Sequence, residues 1–146
     1  MIAMIVATHS TLCLGLKESG EFVSGSHENA YFIQLDGNGV DTFRSNLARM
    51  IEDVHQKYDT VLFLTDLKNA TPYNEITRHL ISGKYPGDRL VSGVNLAMYI
   101  ECALGSEGAD DVDELADMAL FAGRASIAKL DTAAFAEGPE EDDEDL

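Results

Sequence analysis

Apolar residues arrive along this chain in two alternating rhythms. Met1-Ile2-Ala3-Met4-Ile5-Val6-Ala7 is an unbroken apolar run that ends at Thr8-His9-Ser10. Such a run suits a strand buried on both faces rather than a half-exposed one. Leu12, Leu16, Phe22 and Val23 then recur at helical spacing up to Gly25, with Ser10 or Thr11 available as a cap. Ala30-Tyr31-Phe32-Ile33-Gln34-Leu35 reads as a second strand, closed by the turn formers Asp36-Gly37-Asn38-Gly39.

The alternation continues. Val40, Phe43, Leu47, Met50, Ile51 and Val54 step by three and four, the stripe of a helix with one face on a core. Thr60-Val61-Leu62-Phe63-Leu64-Thr65 predicts another doubly buried strand, with Asp66 at its carboxyl end as His9 is at the end of the first. Thr71-Pro72 reads as a cap and a first-turn proline, opening a helix through Ile76 and Leu80 to Gly83. Arg89-Leu90-Val91-Ser92-Gly93-Val94 predicts a fourth strand, and Asn95 a cap for a helix over 96–104 that Gly105 ends. Val112, Leu115, Ala116, Ala119 and Ala122 mark a last helix, and 126–130 a short edge strand. The expected fold is α/β: an open, mainly parallel sheet in the order 2-1-3-4, joined by right-handed crossovers, with helices on both faces.

Composition narrows the function classes. Ten Lys and Arg against 26 Asp and Glu give a net charge of −16 over 146 residues, which repels nucleic-acid backbones and anionic lipid surfaces. Neither nucleic acid nor membrane insertion is expected. The apolar opening is shorter than the ~20 residues of a membrane span and has no basic residue before it, so a cytoplasmic protein is expected. Two cysteines make no disulfide framework. Glu137, Glu140, Glu141, Asp142, Asp143, Glu144 and Asp145 crowd the last ten residues, and like charges in a block repel one another and resist burial. The division expected is therefore one domain over 1–135 and an acidic, disordered, solvating tail over 136–146.

In open α/β sheets, ligands bind beyond the carboxyl ends of the strands, where the strand order reverses. His9 and Asp66 end the two strands that the order 2-1-3-4 makes neighbours. A carboxylate accepting one imidazole N–H fixes the tautomer and leaves the other nitrogen as a nucleophile. Thr8, Ser10, Thr65 and Thr71 add hydroxyls near this pair, and two helix N-termini could hold a phosphate there. The plainer alternatives stay open: a histidine satisfied within its loop, and an aspartate serving as a helix cap. His27, His55 and His79 have no spacing that gathers them as ligands, so no metal site is expected. Cys13 reads as a small packing residue. With no P-loop, G-x-G-x-x-G or serine elbow, no cofactor is expected either.

Three motifs, in order and spacing, carry a resemblance: Ile5-Val6-Ala7-Thr8-His9 with Leu14-Gly15-Leu16; Leu62-Phe63-Leu64-Thr65-Asp66-Leu67; and Ser92-Gly93-Val94-Asn95-Leu96. Over roughly 1–104, and more weakly to 130, the chain resembles the IIA component of the mannose-type sugar phosphotransferase system. The resemblance implies that His9 is phosphorylated on Nε2 by the phosphocarrier protein HPr and passes the group to a histidine of a IIB component. It implies that Asp66 orients His9 and that Thr71 supplies the hydroxyl closing the loop after it. It also implies a homodimer in which a C-terminal antiparallel edge strand, here 126–130, is exchanged with the partner. The chain departs from the family where an aromatic residue and two glycines usually precede Ser/Thr-Pro; it has Lys68-Asn69-Ala70-Thr71-Pro72. Asn69 tolerates positive φ, and Lys68 offers a charge. Ala97 stands where the family favours proline.

The implied function is a phosphoryl-transfer relay for sugar uptake. Two alternatives accompany it: a regulatory or binding module of the same fold that senses phosphorylation without onward transfer, and a dihydroxyacetone-kinase phosphotransfer subunit, whose first domain shares the fold.

Overall fold

The computed structural model describes residues 1–136. Four parallel strands, β1 (Ala3–His9), β2 (Ala30–Leu35), β3 (Val61–Thr65) and β4 (Arg89–Ser92), form one sheet in the order β2-β1-β3-β4. Five helices alternate with or follow them: α1 (Leu12–Ser24), α2 (Val40–His55), α3 (Thr71–Ser82), α4 (Leu96–Ser106) and α5 (Val112–Ala125).

The unbroken apolar strands are explained by covering on both sides. Met4 and Val6 of β1, with Leu62 and Leu64 of β3, face a core shared with Cys13 and Leu16 of α1, Met98, Tyr99 and Cys102 of α4, and Leu115 and Ala119 of α5. Ala3, Ile5 and Ala7, with Val61 and Phe63, face the opposite core under Phe43, Leu47, Ile51 and Val54 of α2 and Ile76 of α3. Period-2 alternation thus sends successive side chains to two different apolar layers. Arg44 reaches across the second layer's rim, and its Nε and Nη2 donate to the two oxygens of the buried Glu75 at 2.9 and 3.0 Å.

Three local expectations are corrected. Leu12, Phe22 and Val23 of α1 are exposed, because the face that meets α4 carries Cys13, Leu16 and Gly20 instead. Neither Ser10 nor Thr11 caps α1 with its side chain, and Thr71 is the first residue of α3, after an uncapped Ala70. Helix α4 runs through Gly105 to Ser106, since a glycine there lets Leu115 and Met118 of α5 pack close. Asn95 does cap α4, accepting from the Met98 N–H, and Gly83 ends α3 with φ 72°.

The segment 126–130 adds no strand to this chain's own sheet. It runs without regular structure into a 3-10 turn at Thr132–Phe135, leaving Ile127, Leu130 and Phe135 exposed. It pairs with neither edge strand, β2 or β4, so these apolar side chains stay uncovered among the described residues. Apart from Ala136, the expected acidic tail lies outside the described residues.

Candidate functional site

Parallel pairing of β1 with β3 aligns Ala7 with Thr65, so the next residues on both strands leave the sheet side by side. That register brings His9 and Asp66 together across 57 residues of chain. Asp66 Oδ2 accepts from the His9 backbone N–H and lies 2.9 Å from His9 Nδ1, while Asp66 Oδ1 accepts from the Leu67 N–H. Because Oδ2 of an ionised carboxylate can only accept, Nδ1 carries the hydrogen. The lone pair therefore sits on Nε2, which has no protein partner among the described residues. The His9 side chain is 43% exposed and that of Asp66 9%: the carboxylate is packed away while the imidazole remains accessible.

Burial alone would raise the Asp66 carboxyl. The hydrogen bonds from His9 and Leu67 outweigh burial and hold it below its ordinary 3.8. A carboxyl depressed in the folded state stabilises the fold at pH above its unfolded value, and that contribution is lost as pH falls through the folded value. Comparing thermal unfolding of the protein and its Asp66→Asn variant should therefore give a gap at about pH 6 that narrows once the pH drops below 3.8. A gap that widened under acid would contradict the geometry.

The four hydroxyls divide. Thr8 is fully buried, and its Oγ1 accepts from the Cys13 N–H at 2.8 Å, so it caps α1 from the strand end rather than facing a ligand. Thr65 is also sealed, and its hydroxyl has no partner among the described residues. Ser10 is exposed in the left-handed region at φ 52°, and its N–H donates to the Leu35 carbonyl. Thr71 is half-buried at the start of α3. Of these four, Ser10 and Thr71 are thus the hydroxyls at the accessible surface of this edge. Cys13 packs as expected, its Sγ 3.5 Å from the Ile33 carbonyl, with burial pushing the thiol up.

The loop after Asp66 keeps its left-handed turn without glycine, because Asn69 takes φ 67°. Asn74 Nδ2 ties that turn by donating to the Asn69 carbonyl. Lys68 lines a groove of about 410 Å³ together with Tyr73, Ser92, Gly93 and Arg124. Arg124 escapes sequence reasoning, since a cation in the last turn of a helix already has a sufficient role against the helix dipole. Only the packing of α5 against β4 brings it into the same groove as Lys68. Asn95 secures that packing: besides capping α4, its Nδ2 donates to the Gly123 carbonyl.

Sequence reasoning also missed His55 and His79, which converge on Asp88 at the other edge of the sheet. No spacing rule links three residues on three separate elements.

Known proteins resemble this chain in sequence and in fold. The family EIIA-man, described as the phosphotransferase-system fructose IIA component, matches residues 3–120. The fructose-specific EIIA component of Bacillus subtilis is 28% identical over 102 residues, 69% of this chain and 68% of that protein. The mannose-specific EIIAB component of Escherichia coli is 26% identical over 88% of this chain, which spans only 39% of that longer relative. Among solved structures, the mannose/sorbose-specific IIA subunit of Enterococcus faecalis superposes with a TM-score of 0.78 at 28% identity, over 88% of this chain and 94% of its own. An EIIA component from Streptococcus agalactiae gives 0.76 at 26% identity, over 92% and 99%.

Proposed function

Because the chain belongs to the EIIA-man family of sugar phosphotransferase-system IIA components, we propose that it is a phosphoryl-transfer relay acting through a phosphohistidine at His9. It accepts the group from HPr and passes it to a histidine of a IIB component in the course of sugar uptake. The observation that carries this reading is the pair at 2.9 Å, with Nδ1 held by Asp66 and the imidazole accessible.

The chemistry follows from that pair. The Nε2 lone pair attacks the phosphorus carried by the donor's histidine; the new N–P bond forms as the donor's N–P bond breaks, and its electron pair returns to the donor ring. Positive charge developing on the His9 ring is balanced by the Asp66 carboxylate through Nδ1–H. Nucleophile and leaving group are both imidazole nitrogens, so the step is close to thermoneutral and reverses toward the next acceptor. The N-terminus of α1, three residues beyond His9, and that of α3, five beyond Asp66, supply N–H dipoles at the same edge. Ser10, Thr71 and Lys68 are the side chains best placed to meet phosphate oxygens; Thr8 serves by holding the start of α1 through the Cys13 N–H.

As a relay between cytoplasmic proteins the chain itself works in the cytoplasm, and it works as a homodimer. The exposed Ile127 and Leu130 support that assembly, because a strand formed by 126–130 on a second copy's sheet would cover them.

Incubating the protein with enzyme I, HPr and phosphoenolpyruvate tests the reading by intact mass. One acid-labile phosphoryl group is expected, absent from His9→Ala and discharged on adding a IIB component. Absence of phosphate with HPr itself phosphorylated would overturn it. A stable phosphoprotein that no IIB discharges would favour the regulatory alternative.

A further inference from the structure

We propose that His55, His79 and Asp88 form a binding site for one divalent transition-metal ion of the zinc class, at the edge of the sheet opposite His9. His55 ends α2, His79 lies in the last turn of α3, and Asp88 directly precedes β4. The Nε2 atoms of both histidines stand 2.9 Å from the same oxygen, Asp88 Oδ2. One ligand atom from each residue lies within 4.8 Å of the other two. The side chains of His55 and Asp88 are 3% and 0% exposed, and that of His79 12%.

His55 and Asp88 are each held by an outer partner, and the hydrogen bookkeeping at His55 leaves a place for a cation. His55 Nδ1 sits 3.1 Å from the Tyr58 carbonyl, which only accepts, so Nδ1 carries the hydrogen. In a neutral His55 the Nε2 lone pair then points at an anionic oxygen, and two lone pairs at 2.9 Å require a cation between them. A metal ion meets that requirement by bonding to both. Asp88 Oδ1 is already occupied by the Val61 N–H at 3.0 Å, which turns Oδ2 inward. Tyr85 stacks flat on His55 with centroids 3.6 Å apart and fixes the plane of the ring. Backbone carbonyls and amides orienting the ligands in this way are what metal sites use to set tautomer and direction.

Two of the three ligand separations fit after a small adjustment, and the third lies within 4.8 Å. Zinc bonds of 2.0–2.1 Å in a tetrahedron separate ligand atoms by about 3.3 Å, so the present 2.9 Å separations need to open by about 0.4 Å. A groove of about 330 Å³ between α2 and α3 reaches His79, giving an entry path and room for a water ligand. Two imidazoles with one carboxylate suit zinc and its neighbours, whereas magnesium and calcium prefer all-oxygen shells. The bound ion would clip the end of α2 and the last turn of α3 to the start of β4, apart from the chemistry at His9.

Titration of the full chain with Zn²⁺ against a chromogenic chelator tests this. The expected result is one ion per chain with a dissociation constant of about 1 μM or tighter and a melting temperature that rises with Zn²⁺ concentration. His9→Ala should bind as the parent does. His79→Gln should bind at least about tenfold more weakly while its His9 is still phosphorylated at the parent rate. In case His79→Gln does not fold, NMR on the unaltered protein gives a second reading: Zn²⁺ should shift the ring signals of His55 and His79 and leave those of His9 in place. No stoichiometric uptake, retained affinity in folded His79→Gln, or unshifted His55 and His79 rings would each overturn the proposal and leave the cluster a proton-bridged ion pair.

Discussion

Replacing Asp66 by Asn is expected to slow phosphoryl acceptance by His9 by about 10²-fold or more, with the fold retained. The side-chain volume is unchanged, but both oxygens of Asp66 now face N–H donors: His9 on one side and Leu67 on the other. An amide has only one oxygen to offer, so its NH₂ must oppose one of these donors whichever way it is turned. If the NH₂ faces His9, Nδ1 must become the acceptor, the hydrogen moves to Nε2, and the nucleophilic lone pair is gone. If it faces Leu67, the tautomer survives but the negative charge that balances the developing imidazolium does not. Both routes lower the rate, and quench-flow phosphorylation by HPr would measure it. A rate within twofold of the parent's would remove Asp66 from the mechanism.

The largest expected effect on stability belongs to Tyr99. Its ring is buried between α1 and α4 against Phe32, 5.8 Å away between centroids, and it lies over Gly20 so closely that a Cβ there would stand 2.8 Å from Tyr99 Cδ2. Tyr99→Ala should cost about 3–5 kcal/mol, a large share of the roughly 5–15 kcal/mol that holds a domain together. Gly20→Ala alone should also destabilise, by about 1–3 kcal/mol from overpacking, partly offset by alanine's helix preference. In the Tyr99→Ala background the obstruction is gone, and the same Gly20→Ala change should turn stabilising by up to about 1 kcal/mol. Urea unfolding of the four proteins gives the cycle. Additive effects would mean that the two positions do not share a contact.

Much of the architecture is written in local patterns. Doubly apolar runs at Val61–Thr65 and along β1 identify strands covered on both faces, and the stripe Phe43, Leu47, Ile51, Val54 names the buried side of α2 before any coordinates exist. The residues ending those strands then locate the pair His9 and Asp66, because the edge of a parallel sheet is where chain ends meet. Local patterns fail where a position has two acceptable uses. Thr8 reads as a phosphate ligand from its place beside His9, yet its hydroxyl goes to the Cys13 N–H, because a sealed strand end leaves that donor no other acceptor. Phe22 and Val23 fit a helical stripe, yet the small residues of α1 were the ones needed for α4 to approach.

The sequence by itself therefore determined the four strands and five helices, the α/β class and the meeting of His9 with Asp66, since each follows from periodicity or from position at a strand end, and those act over a few residues. Only the tertiary structure decided which hydroxyls remain accessible, that Arg124 shares a groove with Lys68, that 126–130 pairs with no strand among the described residues, and that His55 and His79 meet at one oxygen of Asp88. Those outcomes depend on how separate elements are stacked and in what register, and no spacing along the chain encodes a distance between elements that touch only through the packed core.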